Sequence, residues 1–174
     1  MIHQAYAENL ELKEKNKTEN QVIFEITLNY DPELTDNNAK ALSPVHAFGF
    51  DIAYNSAVLS FQSYEKGALI KNRYETFEVM PVSSGILRAG GFEFDKDHKI
   101  QTGESGVLLL LTFSIESSGN YDIVIQDLDD LFEGLSVKNI TQETPPEYDD
   151  VNKDGKVGLA EVIHLLQMLT RISN

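Results

Sequence analysis

The 174-residue sequence contains no cysteine, which excludes disulfide bonds, a thiolate zinc site and a cysteine nucleophile. Basic residues are also scarce: Lys and Arg number 14 against 28 Asp and Glu, for a formal net charge of −14. This balance argues against nucleic-acid backbones and anionic membranes as partners. It suits a soluble extracellular protein, a cation binder or simple solubility, and composition does not separate the three.

Other signals are missing as well. No stretch is long and apolar enough to span a bilayer, and the first ten residues lack the basic and apolar regions of a signal peptide. If the protein is secreted, we expect its signal to be missing from this sequence. There is no GxSxG motif, no phosphate-cradling Gly loop and no cofactor fingerprint, and nothing in the sequence brings two specific acids together as a glycosidase requires. We therefore expect no enzymatic activity.

Alternation of apolar and polar residues is the main structural signal, and hydrophobic residues at 41 % suffice for a core. The strongest run is Gln21–Tyr30, in which every second residue from Val22 to Tyr30 is apolar. About eight or nine short strands with turns between them predict a mainly β, antiparallel sandwich, with a jelly roll as one form. The predicted strands and extended segments are 10–12, 21–30, 46–54, 58–64, 74–81, 86–94, 107–115, 121–125 and 135–140.

Finer expectations accompany this pattern. Residues 13–20 are interpreted as a polar turn, and the strand 107–115 as buried on both faces. The Gly90–Gly91 pair indicates a bulge or a close backbone approach. We expect little helix before residue 155.

Several residue groups admit a functional and a structural interpretation. The four histidines, at 3, 46, 98 and 164, form no HxH or HxxxH pair, and His46 is interpreted as a core-edge residue. An acidic cluster could bind a second cation, but a solvated loop is favoured; its members are Asp127, Asp129, Asp130 and Glu133. The same caution applies to Asp95, Asp97 and Glu104. A sugar-binding surface needs exposed coplanar rings; with no Trp in the chain, Tyr64 and Tyr74 are its only candidates.

The stretch Asp150–Glu161, DVNKDGKVGLAE, has the spacing of a calcium loop. Asp150, Asn152 and Asp154 provide side-chain oxygens at loop positions 1, 3 and 5, and Gly155 allows the sharp turn. The carbonyl of Lys156 serves position 7, a water fills position 9 at Gly158, and Glu161 closes the shell at position 12. The sequence therefore predicts a Ca²⁺ site, the alternative being an acidic, Gly-containing surface turn.

A helix-like run, VIHLLQMLTRI, follows this loop. Its apolar residues cover more than half of a helix circumference, and an exposed surface of that kind marks a contact site. The candidate partner-binding residues are Val162, Leu165, Leu166 and Leu169. Pro145 and Pro146 forbid a regular helix before the loop, so the segment is half an EF-hand.

The run Asp150–Val157 resembles one calcium-binding repeat of a dockerin, a resemblance covering about residues 149–172. Dockerins usually carry two repeats, whereas this chain has one, with Glu161 where Asp is common. Three further runs resemble cohesin domains, over about residues 8–140: Phe48–Leu59, Gly106–Phe113 and Tyr121–Leu128. This second resemblance implies a nine-stranded jelly-roll sandwich that binds proteins and performs no chemistry.

The sequence thus predicts a sandwich at 1–140, a Pro-containing linker at 141–148 and a calcium loop with a helix at 149–174. We expect a non-catalytic, calcium-binding interaction module of cohesin and dockerin type that serves extracellular scaffolding or attachment. Its partner would be a dockerin- or cohesin-bearing protein, or a second copy of itself, at a bacterial or archaeal cell surface. The alternatives are a polysaccharide-binding sandwich with a structural calcium appendage, and a purely structural surface-layer or adhesin segment.

Overall fold

The computed structural model describes residues 8–31, 44–95 and 97–139. The chain divides into two units, Met1–Ile140 and Thr141–Asn174, and every described residue belongs to the first. The predicted linker at 141–148 and the predicted calcium loop and helix at 149–174 lie outside the described residues.

Nine strands form two sheets in the described part of the chain. Their order is β4-β7-β2-β1-β9 in the five-stranded sheet and β5-β6-β3-β8 in the four-stranded sheet. The strands are β1 (Glu8–Lys17), β2 (Gln21–Tyr30), β3 (Ala47–Ala53), β4 (Leu59–Lys66), β5 (Glu78–Ser83), β6 (Ile86–Phe92), β7 (Gly106–Ile115), β8 (Val124–Asp130) and β9 (Ser136–Lys138). Among the described residues, no helix is long and apolar enough to cross a membrane.

The predicted mainly β sandwich is confirmed, with one correction to its strand directions. All neighbouring strands pair antiparallel except β9, which runs parallel to β1 with Leu10 opposite Val137. The prediction of an antiparallel sandwich is therefore wrong at the last strand only. That strand returns beside the first one and extends the five-stranded sheet.

The core lies between the sheets and is built by alternation along the strands. On β2, Val22, Phe24, Ile26 and Leu28 are fully buried, as their spacing predicts. An aromatic cluster fills the region under β3, where the Phe48 ring packs against Phe50, Tyr74, Phe77 and Phe132. Aromatic side chains each bury a large apolar area, so this cluster holds the four-stranded sheet against the core.

Some segment predictions are wrong. The expected polar turn at 13–20 is mostly strand, since β1 runs to Lys17 and its charged side chains lie on an exposed sheet surface. Only Thr18–Asn20 turns, where the Thr18 amide donates to the Gln21 carbonyl at 2.8 Å. The segment 74–81 becomes strand only from Glu78. Strand β7 is not buried on both faces, because Leu109, Leu111 and Phe113 face the core while the residues between them are half-buried.

The glycine pair on β6 permits a close approach, not a bulge. The β3–β6 register is continuous from Ala47 opposite Phe92 to Ala53 opposite Ile86. A Cβ at Gly91 would lie 2.7 Å from the Phe77 Cα, and one at Gly90 would lie 3.0 Å from the Phe48 carbonyl oxygen. Side chains at these positions would therefore collide with backbone.

Candidate functional site

The predicted calcium ligands Asp150, Asn152, Asp154, Lys156 and Glu161 lie outside the described residues. So do the candidate partner-binding residues Val162, Leu165, Leu166 and Leu169. Within the described residues, no group of three or more His, Asp or Glu side chains is arranged to hold a metal ion. The calcium site remains a prediction from the sequence.

The acidic cluster near residue 130 is mostly strand, which corrects its interpretation as a loop. Asp127, Asp129 and Asp130 belong to β8, and Glu133 lies in the turn after it. Asp127 and Asp130 have positive φ angles of 48° and 55°, and the β3–β8 register shifts between Gly49 and Asp51. The irregular backbone at these residues interrupts the alternation of apolar and polar residues that would have indicated a strand.

Two further interpretations are corrected by burial. His46 is not at the edge of the core: it is exposed, because the apolar alternation shifts phase just before β3 and Val45 takes the inward position. Tyr74, a candidate sugar-binding residue, is fully buried, and its hydroxyl donates to the Val45 carbonyl. Burial raises the pKa of Tyr74 to about 12. Tyr74 therefore cannot present its ring to a sugar.

Tyr64, the other candidate, is half-buried on β4, an edge strand of the five-stranded sheet. Its hydroxyl donates to Glu78 Oε2 at 2.8 Å, and burial, then this hydrogen bond, raises the pKa of Tyr64. The most exposed aromatic rings in the described residues belong to Phe92 and Phe94, whose planes meet at 62°. A sugar platform needs coplanar rings, so the described surface does not favour the polysaccharide alternative.

Exposed apolar side chains concentrate on one part of the described surface. Four large ones are exposed, namely Met80 (58 %), Val82 (64 %), Phe92 (44 %) and Phe94 (87 %). All four lie on β5, on β6 or within two residues of its end. The rings of Phe92 and Phe94 contact each other at 5.0 Å, and Met80 and Val82 lie on the neighbouring strand. Exposed apolar residues concentrated on two neighbouring strands favour a contact site over scattered surface residues.

Strand register places the centre of this surface on the outside of the four-stranded sheet. Val79, Leu87 and Ala89 face the core, so Met80 and Arg88, which are opposite one another, face outward. We call the outward side of β5, β6, β3 and β8 the four-stranded face. Its residues include Gly49, Asp51, Glu78, Met80, Arg88, Gly90, Phe92, Gln126 and Asp129.

Arg88 lies at the middle of the four-stranded face and connects three strands. Its Nη1 donates to Asp51 Oδ1 on β3 at 2.9 Å, and its Nη2 is ion-paired with the Asp129 carboxylate on β8. Nη1 also lies 3.5 Å from the Asp127 carbonyl oxygen. The central cation of the face is thus neutralised by carboxylates of its own sheet.

The outward side of the five-stranded sheet has a different character, with side chains that bond to one another. Lys13 and Lys15 both pair with Glu25, at 3.2 and 2.7 Å, and the hydrogen bond from Lys15 is the main reason that the pKa of Glu25 lies below its ordinary value. Gln62 Nε2 donates to Ser114 Oγ at 2.9 Å. None of the exposed large apolar residues of the described chain lies on this face.

The sequence interpretation missed the four-stranded face. The signal was available in part: in a strand with Phe48, Phe50 and Ile52 inward, Gly49 and Asp51 must point outward. Met80 and Val82 lie in a segment predicted only as extended, without an assigned inward side. Arg88 pairs with carboxylates 37 and 41 residues away in sequence, which no local pattern reveals.

The family of this chain follows from comparison with protein-family models. The model of the cohesin domain matches residues 34–144, more than half of the chain, and the chain belongs to the cohesin domain family. Cohesin domains are non-catalytic protein–protein interaction modules, so the expected lack of enzymatic activity and the expected protein partner agree with the family. No curated protein matches the chain significantly.

Solved cohesin structures share the fold at low sequence identity. A non-cellulosomal cohesin from the archaeon Archaeoglobus fulgidus is 15 % identical, with a TM-score of 0.52 over 76 % of this chain and 86 % of that one. The seventh ScaB type I cohesin from Pseudobacteroides cellulosolvens is 17 % identical, with a TM-score of 0.54 over 78 % and 88 %. The sixth scaffoldin B cohesin from Acetivibrio cellulolyticus, solved in complex with a Cel5 dockerin, is 17 % identical, with a TM-score of 0.53 over 77 % and 94 %.

Proposed function

We propose that the sandwich binds a dockerin-type protein partner through the four-stranded face. The observation that carries this proposal is the concentration of exposed Met80, Val82, Phe92 and Phe94 on one part of the described surface. Solved relatives of the same fold occur in complex with dockerins, which supports the class of partner. On the opposite face, Lys13 and Lys15 pair with Glu25, and no exposed large apolar side chain of the described residues lies there.

The energetic argument concerns what a partner could bury. An exposed Met or Phe side chain gains roughly 1.5–3 kcal/mol when it is fully removed from water. Protein interfaces concentrate their binding energy in a few such residues at the centre of the contact. Met80 and Phe92 fit this role because both point away from the core on neighbouring strands.

The test is binding of the full chain, measured by surface plasmon resonance, to a panel of purified dockerins that includes the Cel5 dockerin of Acetivibrio cellulolyticus. A peptide of residues 141–174 is a further analyte, because a second copy of this chain is a candidate partner. We expect Met80→Ser combined with Phe92→Ser to weaken the binding of whichever partner is found at least about tenfold. Gln62→Asp, a change on the five-stranded face, is the matched control. If the double variant and the parent chain bind equally well, the four-stranded face is not the binding surface.

We also propose that residues 150–161 bind one Ca²⁺ ion, with Asp150, Asn152, Asp154, the Lys156 carbonyl and Glu161 as ligands. Support comes from the spacing of these residues. Half an EF-hand suggests a modest dissociation constant, roughly 10⁻⁵ to 10⁻³ M. Titration calorimetry should detect one site that Asp154→Ala abolishes and Asp149→Ala, which changes a neighbouring acid outside the ligand positions, preserves. If calorimetry detects no heat of Ca²⁺ binding by the parent chain, the proposed site is wrong.

The calcium-loaded segment would present Val162, Leu165, Leu166 and Leu169 as a second contact surface. Its test is Leu166→Asp combined with Leu169→Asp, which should alter partner binding, self-association or thermal stability in calcium.

We further propose that the protein lies outside the cell or at the cell surface of a bacterium or archaeon. The strongly acidic composition and the bacterial and archaeal sources of the similar structures support this location. Fractionation of the source cells tests it.

A further inference from the structure

The side chain of Arg88 occupies an unusual position on the four-stranded face. From β6 it reaches over β3 to β8, where Asp51 and Asp129 hold its two terminal nitrogens. Directly beneath it is Gly49: a Cβ at that residue would lie 3.3 Å from Nη2 and 3.7 Å from Cζ. The Arg88 guanidinium therefore packs closely against the bare backbone of Gly49.

This arrangement determines what Arg88 can offer a partner. A guanidinium recognises carboxylates through N–H groups in its plane, and here Nη1 and Nη2 already bond to Asp51 and Asp129. The guanidinium packs against Gly49, while the side chain keeps 34 % of its area exposed. A guanidinium whose terminal nitrogens are already bonded is suited to stacking against an aromatic ring. An incoming carboxylate would be repelled by the two aspartates.

Met80 also favours contact with an aromatic side chain of a partner. It is directly opposite Arg88 in the β5–β6 register and is well exposed. Thioether sulfur makes favourable contacts with aromatic rings, as the guanidinium plane does. Two adjacent groups on the face therefore favour the same type of side chain.

We propose that Arg88, held over Gly49 by Asp51 and Asp129, is the specificity-determining residue of the four-stranded face and stacks on an aromatic side chain of the protein partner. Gly49 is its positioning residue, since a Cβ there would press on Nη2 and require the guanidinium to shift by a few tenths of an ångström. The proposal rests on the function proposed above and names the chemistry that its contact surface selects.

The experiment titrates the full chain with N-acetyl-tyrosinamide, followed by nuclear magnetic resonance at the Arg88 Nε–H and the Met80 methyl group. N-acetyl-leucinamide and N-acetyl-aspartamide are the comparison probes. We expect saturable ring-current shifts at both groups with the tyrosine probe alone. Arg88→Lys keeps the charge but loses the plane, and should weaken binding of this probe about two- to fivefold.

Gly49→Ala should weaken binding of the tyrosine probe by shifting the guanidinium, and a change in the Arg88 Nε–H chemical shift relative to the parent chain would report that shift. Gly106→Ala is the matched control, because a Cβ there makes only ordinary contacts of 3.4–3.9 Å with Leu69. No saturable shift in the parent chain, equal shifts with the leucine probe, or unchanged binding by Arg88→Lys would each overturn the proposal. These outcomes are independent of the dockerin panel, so failure of the stacking site and failure of the proposed function are seen separately.

Discussion

Replacement of Tyr74 by Phe should destabilise the sandwich by about 1–3 kcal/mol at pH 7, the cost of leaving a buried polar group unpaired. The Tyr74 hydroxyl is fully buried, donates to the Val45 carbonyl and lies 3.4 Å from the Ile100 amide, which can donate to it. Val45 and Ile100 also bond to each other at 2.8 Å. Phe preserves the edge-to-face contact with Phe48 at 5.3 Å, so the change removes the hydroxyl alone. Urea denaturation measures the difference.

The stability deficit of Tyr74→Phe should also depend on pH. Burial raises the pKa of Tyr74 to about 12 from an ordinary value of 10.0, so between these values the phenol ionises in the unfolded chain but not in the folded one. Ionisation of the unfolded chain favours unfolding, and at pH 11 it costs the parent protein about 1.4 kcal/mol. Tyr74→Phe has no such phenol at this position. Its deficit relative to the parent should therefore shrink by about 1.4 kcal/mol between pH 7 and pH 11.

The control for the neutral-pH effect is Tyr64→Phe. Its hydroxyl bonds to Glu78 at the exposed edge of the sheets, where water can replace the lost partner, so we expect less than about 1 kcal/mol. If the two variants lose equal stability at pH 7, or if the deficit of Tyr74→Phe is the same at both pH values, the assignment of a buried, protonated hydroxyl is wrong.

Three further predictions concern the same domain. Gly91→Ala should cost about 1–3 kcal/mol in urea denaturation, because its Cβ would meet the Phe77 Cα at 2.7 Å; a neutral effect would contradict that close approach. A chain that ends at Ile140 should keep a β-rich circular dichroism spectrum and a cooperative melt, whereas an insoluble product would show that later residues complete the core. The Arg73 guanidinium holds the pKa of Glu104 below its ordinary value. The ionised Glu104 therefore stabilises the fold above its unfolded pKa, and this stabilisation is lost as the pH falls through its folded pKa. Arg73→Met should therefore lose less stability than the parent between pH 7 and pH 3, and equal losses would argue against this ion pair.

The sequence predicted the sandwich because alternation and burial coincide on its central strands. Val22 to Leu28 and Phe48 to Ile52 alternate without interruption, and both stretches are strands with the expected residues inward. Prediction failed where charge or backbone geometry hides alternation. Lys13 and Lys15 on β1 look like turn residues but are held on a strand by Glu25 of the neighbouring strand. On β8, the positive φ angles at Asp127 and Asp130 break the period of two.

The binding surface was harder to predict than the fold, for a reason that lies in its chemistry. The calcium motif is local in sequence, with all its ligands within twelve residues. The four-stranded face assembles Asp51, Arg88 and Asp129 from three separate strands, and Gly49 matters because the Arg88 guanidinium packs against it. A single sequence contains the outward positions of each strand but not the register that brings them together. Register is a tertiary property, set here by the packing of the aromatic core beneath the sheet.

The two faces differ in whether their outward side chains bond to one another or remain exposed. On the five-stranded face, two lysines and one carboxylate neutralise each other, and hydroxyl and amide groups bond across strands. On the four-stranded face, Arg88 pairs with Asp51 and Asp129 and keeps 34 % of its side chain exposed, and Met80 and Phe92 are exposed on the same face. Exposed apolar groups contribute nothing to the stability of the sandwich alone, whereas they contribute to affinity when a partner covers them. The asymmetry of the faces is therefore better explained by binding than by folding.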